Sequence, residues 1–374
     1  MLHAGANDVF EVVSEDANGQ GRLGRLKTVH GTFDTPFFMP VATKGSVKTL
    51  TSDEVAATGS KVLIANAFLL SLEPGSDIIK NAGGLHSFMR WSGGIFTDSG
   101  GFQIIRKRFS PAVQKDGVLF KSPYDGGSKL LTPEDVVRIQ KDLAPDIAML
   151  LDDCPPWGTD MTGLNGSVQR TLDWARRAKA EYMDWGGLVF GITQGGIDAD
   201  LRRHCSEELA KMEFSGYGIG GLAIGEPEAD MFRVLEVSNT SLPRGRPRYL
   251  MGVGSPTQLF ECVDRGVDMF DSVVPTRNAR HNTLLTFRGK VNIRRSNFAG
   301  VQAPLEEGCD CITCKTFTKA YVFHLLHVKE MLGQRLVTIH NVRFIQRLME
   351  GIRLSLREGA FQQYKADFLK GYGR

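Results

Sequence analysis

GIFTDSG, residues 94–100, decides the fold. Its apolar residues fall at successive rather than alternate positions, as in a strand buried on both faces of a parallel sheet. The run stops at a carboxylate, Asp98, followed by serine and glycine. Glycine lets a backbone turn tightly or approach a ligand closely, so this strand reads as ending at the rim of a pocket. Seven other runs share its character: FFMPVAT (37–43), KVLIANAF (61–68), IAMLLDD (147–153), LVFGITQGG (188–196), GYGIGGLAIG (216–225), RYLMGVG (248–254) and VDMFDSVVP (267–275).

Helical segments separate these runs. Thr132-Pro133-Glu134-Asp135 supplies an N-cap, a proline at the first helical position and acid in the first turn. Residues 167–183 and 199–212 carry amphipathic spacing. Eight strands alternating with helices predict a (β/α)₈ TIM barrel. The competing architecture, a doubly wound open sheet, wants a phosphate-binding glycine fingerprint after its first strand, and MPVATKGS does not supply one. Residues 104–131 are long for a loop between strand and helix. They are expected to carry a hairpin, GVLFKS to SKLLT, turning at Asp125-Gly126-Gly127.

The 374 residues include 45 basic and 42 acidic side chains, a net charge of +3. That balance does not by itself imply nucleic-acid binding. No basic leader followed by an apolar stretch opens the chain, and no run approaches the ~20 apolar residues of a membrane helix. The expectation is a soluble, cytoplasmic protein with no membrane association.

A barrel places its pocket at the C-terminal strand ends. Those ends carry Asp98, Asp152 with Asp153, Gln194, Gly221, Met251 and Asp271. Two carboxylates over a barrel mouth suit displacement at an anomeric carbon, one attacking and the other moving a proton. Asp98 and Asp271 are the pair that each follow a strand and precede polar or glycine residues. Phe102 and Met251 are candidates to clamp a flat heterocycle, since thioethers and rings pack well on π faces. An aspartate, a glutamine and open backbone amides suit the donor and acceptor edge of a guanine-like base. The stretch 275–295 holds Arg277, Arg280, Arg288, Lys290, Arg294 and Arg295, and a second basic series runs Arg343, Arg347, Arg353, Arg357. The first flanks the predicted pocket, where phosphates of a polyanion can be held. CDCITC (309–314) offers Cys309, Cys311 and Cys314 to one tetrahedral ion, with His324, His327 or His340 as a fourth ligand. Three sulfurs and a histidine leave no open position, so the expected zinc is structural.

TDSGGFQ (97–103), KSPYDG (121–126), LLDDC (150–154), QGG (194–196), GGLAIGE (220–226), RYLMGVG (248–254), MFDSVVPTR (269–277) and the cysteine–histidine set together resemble the tRNA-guanine transglycosylases, of the bacterial type. The resemblance runs from about residue 20 to the C-terminus. It implies one catalytic TIM barrel over 1–374 with a zinc-binding subdomain at about 290–345. It also implies exchange of guanine at the anticodon wobble position, number 34, for a 7-deazaguanine through a covalent tRNA–enzyme ester, in queuosine biosynthesis. Carried onto these residues, Asp271 is the nucleophile and Asp98 the general acid and base. Asp152, Gln194, the Gly221 amide and the Leu222 carbonyl read the base, and Phe102 and Met251 stack on it. Arg277 and Arg280 contact the anticodon loop. His340 completes a single structural zinc site. The implied partners are a tRNA with a G-U-N anticodon and a second copy of the chain.

Ala223-Ile224 places a branched side chain where queuine-using members tend to have small residues, which favours the smaller base preQ1. One departure stands out. Where the family usually reads GNTYHL, this chain has ANAFLL (65–70), keeping Asn66 but losing three polar groups. Altered substrate access, base preference or dimer contact is the expected consequence. The alternatives are a queuine-inserting enzyme, the catalytic subunit of an unequal dimer, a paralogue acting at another site, and a hydrolytic TIM-barrel glycosidase.

Overall fold

The computed structural model describes residues 9–101, 111–122, 126–182 and 185–373. In chain order, β1 (Phe10–Glu15), β2 (Arg22–Thr28) and β3 (Gly31–Thr35) form an antiparallel sheet that precedes β4 (Phe37–Pro40), β5 (Val62–Asn66) and β6 (Gly94–Asp98). An excursion of three antiparallel strands follows: β7 (Ala112–Gln114), β8 (Gly117–Lys121) and β9 (Ser128–Leu131). Then come β10 (Ile147–Met149), β11 (Leu188–Thr193), β12 (Gly216–Ile219), β13 (Arg248–Leu250) and β14 (Met269–Ser272), and finally the hairpin of β15 (Thr283–Thr286) and β16 (Gly289–Asn292).

The eight parallel strands lie in the order β4-β14-β13-β12-β11-β10-β6-β5. A parallel bridge between Val41 and Ile64, with Ala42 N–H donating to Ile64 O at 2.7 Å, brings the two ends together. The (β/α)₈ barrel expected from the apolar runs is therefore the observed fold, and all eight strands fall within the segments quoted above. Thr132 closes a capping box with Asp135, and Pro133 opens the Pro133–Leu143 helix as expected. The helix anticipated over 167–183 begins earlier, at Met161, because Asp160 caps it through the Gly163 N–H at 2.8 Å. β8 and β9 form the anticipated hairpin, closed by Ser122 N–H to Gly127 O; Asp125 lies outside the described residues.

The barrel interior is filled by side chains. Met39, Ile64, Phe96, Phe190, Ile192, Tyr249 and Met269 belong to one buried cluster, with Phe96 edge-on to Phe190 and Tyr249 at 5.7 Å each. Phe10, Leu26 and Phe33 of the N-terminal sheet join this cluster beside Phe37 and Val62, which begin β4 and β5. The small sheet therefore covers the N-terminal end of the barrel and leaves the C-terminal end for chemistry.

Asp146, just before β10, fastens that covered end. Its buried carboxylate accepts the backbone N–H groups of His30 (3.0 Å) and Ile95 (2.8 Å) and contacts His30 Nδ1 (2.9 Å) and His86 Nε2 (3.0 Å). The two imidazoles stack at 3.5 Å with a 16° interplanar angle, each with one ring nitrogen against the Asp146 carboxylate. The cluster is a structural clasp between β6, β10, the 28–31 turn and the Gly84–Met89 helix. Despite burial, the His86 and Ile95 hydrogen bonds hold the carboxyl down at about 2. Because the unfolded carboxyl binds a proton more readily, the clasp is fully effective above about pH 4 and fails as pH falls toward 2. Asp146→Ala is expected to cost roughly 3 kcal/mol in urea denaturation at neutral pH, a deficit that shrinks on acidification through that window.

Candidate active site

Residues two apart on a strand face the same side. Ile64, Phe96, Ile192, Tyr249 and Met269 pack inside the barrel, so Asn66, Asp98, Gln194, Met251 and Asp271 continue the same inward-facing rows to the C-terminal rim. The barrel core thus aims five polar or thioether side chains into one mouth.

Asp271 is half-buried. Its Oδ1 accepts the Tyr249 hydroxyl at 2.6 Å and the Gly252 N–H at 2.8 Å. Both bonds fall on one oxygen, and among the described residues Oδ2 has no hydrogen-bond partner. Burial raises the Asp271 carboxyl above its ordinary range, and the Tyr249 and Gly252 donors oppose that rise. Tyr249 is fully buried, and burial with the Asp271 charge keeps its phenol protonated. Asp98 lies close enough for its charge to act on both Tyr249 and Asp152. Asn66 donates Nδ2–H to Asp98 Oδ2 at 3.3 Å, while its own Oδ1 accepts Leu69 N–H at 2.8 Å, which fixes the amide's orientation.

Asp152 and Asp153 are adjacent in sequence and separate in role. Asp153 is taken by Arg170, at 2.6 Å to Nη2. Asp152 instead accepts Gln194 Nε2–H at 2.6 Å, and Gln194 Oε1 is buried without a partner among the described residues. A Cβ at Gly221, where φ is +65°, would sit 2.3 Å from that oxygen, so only glycine fits. Leu222 is buried, Ile224 half-buried, and the Glu226 carboxylate gathers the N–H groups of Ala223, Ile224 and Gly225. Arg202, fully buried, donates to the carbonyls of Gly196 (2.8 Å), Thr193 (3.3 Å), Gly220 (2.7 Å) and Gly221 (3.3 Å). Turning the Gly220 carbonyl toward Arg202 turns the Gly221 N–H the opposite way, because the two are trans across one peptide.

Phe102 lies outside the described residues. The ANAFLL departure is absorbed by packing: Phe68 and Leu69 are buried, and Phe68 sits edge-on to Phe120 of the excursion at 4.9 Å. The sequence reading placed Asn66 and Glu226 near the barrel mouth without giving either a role, and it did not single out Tyr249 or Arg202. Tyr249 was detectable from its place two residues before Met251; nothing in the sequence marks Arg202.

The two basic series behave differently. Arg277 and Arg280 are exposed on the Val274–Arg280 helix directly after β14; Arg288, Lys290, Arg294 and Arg295 are exposed nearby in sequence, and none is ion-paired among the described residues. Arg343 is held by Asp310 and Glu350, Arg347 by Glu306 and Arg357 by Asp34. The second series is largely neutralised within the fold.

Cys309, Cys311, Cys314 and His340 converge, and His324 and His327 stand apart from the cluster. The three sulfurs lie 3.5, 3.9 and 3.4 Å from His340 Nδ1. A tetrahedral zinc with bonds of about 2.3 Å to sulfur and 2.0 Å to nitrogen requires S···N edges of about 3.5 Å. His340 Nε2 meets Leu285 O at 3.0 Å, which leaves Nδ1 free to ligate. The cluster is buried and closed, and it fits a structural zinc site.

Burial, with the charges of Asp98 and Asp153, pushes the Asp152 carboxyl up to about 7 against the Gln194 hydrogen bond. The folded state therefore holds its proton more tightly than the unfolded chain, and ionisation weakens folding as pH rises from about 4 to about 7. Asp152→Asn, which cannot ionise, should gain stability relative to wild type across that window in urea denaturation. A difference that stays flat with pH would contradict this origin.

A family model described as queuine tRNA-ribosyltransferase matches residues 16–374. A relative of that name from Symbiobacterium thermophilum is 47% identical over 363 residues, covering 96% of this chain and 90% of its own. Another, from Caldanaerobacter subterraneus subsp. tengcongensis, is 45% identical over 364 residues, with 97% of each chain covered. The chain belongs to the queuine tRNA-ribosyltransferase family, the bacterial-type tRNA-guanine transglycosylases, and is a base-exchanging pentosyltransferase.

Proposed function

We propose that the chain exchanges guanine at wobble position 34 of a tRNA with a G-U-N anticodon for preQ1, through an ester between Asp271 and ribose. The observation that carries this reading is the asymmetry of Asp271. Tyr249 and Gly252 bind one carboxylate oxygen and leave Oδ2 as the nucleophile. In the first step the Oδ2–C1′ bond forms, the C1′–N9 bond breaks, and Asp98 gives its proton to the departing guanine. In the second, Asp98 takes the N9 proton of the incoming 7-deazaguanine, which attacks C1′ and releases Asp271. A mouth that excludes water keeps the ester from hydrolysis while the bases change places.

Asp152, Gln194, the Gly221 N–H and the Leu222 carbonyl read the base edge, with Met251 and Phe102 against its faces. Arg277 and Arg280, exposed and without ion pairs among the described residues, hold anticodon-loop phosphates. One zinc on Cys309, Cys311, Cys314 and His340 would brace the segment at about 290–345 against the Met331–Arg357 helix. Exposed Tyr321, Val328, Met331 and Leu332 lie on adjacent helices beside that cluster and support a homodimer through this face. No helix of the described residues is long and apolar enough to cross a membrane, in keeping with a cytoplasmic enzyme.

Asp271→Asn should lower exchange of labelled guanine into unmodified tRNA by about 10³-fold or more and abolish the denaturation-resistant tRNA adduct that wild type forms. An adduct that persists in this variant would transfer the nucleophile's role elsewhere. Ile224 is half-buried on the segment after β12, and on this reading its branched side chain takes room that a cyclopentenediol would need. Wild type is therefore expected to favour preQ1 over queuine by about tenfold or more in kcat/KM, with the ratio falling in Ile224→Ala. Efficient queuine incorporation by wild type would end the preQ1 assignment.

A further inference from the structure

At the end of the barrel opposite Asp98 and Asp271, a cavity of about 390 Å³ opens between the 15–22 connection of β1 and β2 and the last turn of the Glu228–Ser241 helix. Arg22, Arg244, Arg248, Asn239, Glu15 and Asp16 are among the residues that line it. Most of these charges are already matched. Arg22 makes two bonds to Asp268, Arg244 pairs with Glu15 at the rim, and Asp16 accepts Gln362 Nε2–H.

Arg248 is the exception. It is only 6% exposed, yet its guanidinium touches no carboxylate among the described residues. Asp268, the nearest acid, accepts the backbone N–H of Arg248, and its oxygens are otherwise committed to Arg22. Arg248 Nη2 reaches Leu242 O at a long 3.5 Å, and among the described residues Nε has no partner. Burial, with the charges of Arg22 and Arg244, lowers its pKa to about 10, so it remains a cation at neutral pH. The Asp268 and Glu15 charges offset only part of that burial, and a bound anion would supply the direct partner that the guanidinium lacks. Asn239 lines the same cavity and is fully buried. Its Nδ2–H is spent on Arg265 O, which fixes the amide, and its Oδ1 is an acceptor without a donor among the described residues. The cavity therefore lacks a ligand that carries both negative oxygens and an O–H.

We infer that this cavity binds a hydrogen phosphate-class anion, its charged oxygens facing Arg248 with Arg244 at the entrance and its P–OH donating to Asn239 Oδ1. Sulfate has the same size and charge but no proton to donate near neutral pH, so it fits less well. The site lies at the N-terminal strand ends, where Arg248 begins β13, and is separate from the base-exchange mouth.

The test uses the full-length protein at constant ionic strength, following thermal denaturation and the ³¹P linewidth of inorganic phosphate. Phosphate should raise the Tm of wild type more than sulfate does, and its signal should broaden. Arg248→Met, which removes the unmatched cation and keeps an unbranched side chain, should lose both responses. Arg244→Gln, at an exposed rim position that does not endanger folding, should weaken phosphate binding roughly threefold and tests the site even if the first variant misfolds. Glycerol phosphate in place of phosphate separates a phosphomonoester from the free ion as the natural source, and response to either supports the site. Equal responses to phosphate and sulfate, a phosphate response that survives in Arg248→Met, or binding of an RNA oligomer with none of free phosphate would overturn the inference.

Discussion

Alternation along a strand is the constraint on which this molecule depends. Once Phe96, Tyr249 and Met269 are committed to the barrel interior, the residues two positions later have no choice of face. Asp98, Met251 and Asp271 therefore converge without any contact having been arranged among them. A slip of one residue in any of these strands would turn a rim side chain outward and a core side chain into the pocket. Close packing inside the barrel is what forbids the slip, so the apolar core decides which side chains reach the mouth.

Much of this was legible in the chain. Continuous apolar runs located all eight barrel strands, because strands buried on both faces must be apolar at consecutive positions. The motif at Cys309–Cys314 announced a metal-type cluster, but spacing could not choose among three histidines. Chain geometry chose: His340 sits on the long helix at the point where Leu285 O orients its ring. The N-terminal sheet was not anticipated. Its strands alternate, as in the exposed–buried pattern of β1, and carry no chemical motif to draw the eye. The earlier start of the Met161–Glu181 helix was hidden because Thr162, Gly163, Asn165 and Gly166 are poor helix formers, and tertiary packing with the Asp160 cap overrides them.

Charge patterns were the least informative part of the sequence. Two arginine series looked alike as strings, yet one meets carboxylates from remote segments and the other meets none among the described residues. Glu350 shares the Met331–Arg357 helix with its partner Arg343, but Asp34 and the 306–310 segment are remote, and no local reading could have matched them to that helix. Asp152 and Asp153 carry the same lesson at shorter range: neighbours in sequence point to opposite sides, one toward Gln194 and the other toward Arg170.

The buried guanidinium of Arg202 has a consequence for how the rim around Gln194 and Gly221 can vary. It bonds carbonyls on the segment after β11 and on the segment after β12, joining two loops that share no covalent connection nearby. Neither loop can then shift its backbone alone, since a carbonyl withdrawn on one side leaves a charged donor stranded in a dry interior. The two loops form a single jaw, and if this edge reads the base as proposed, a change of preference has to move both halves together or be confined to side chains on the following segment such as Ile224.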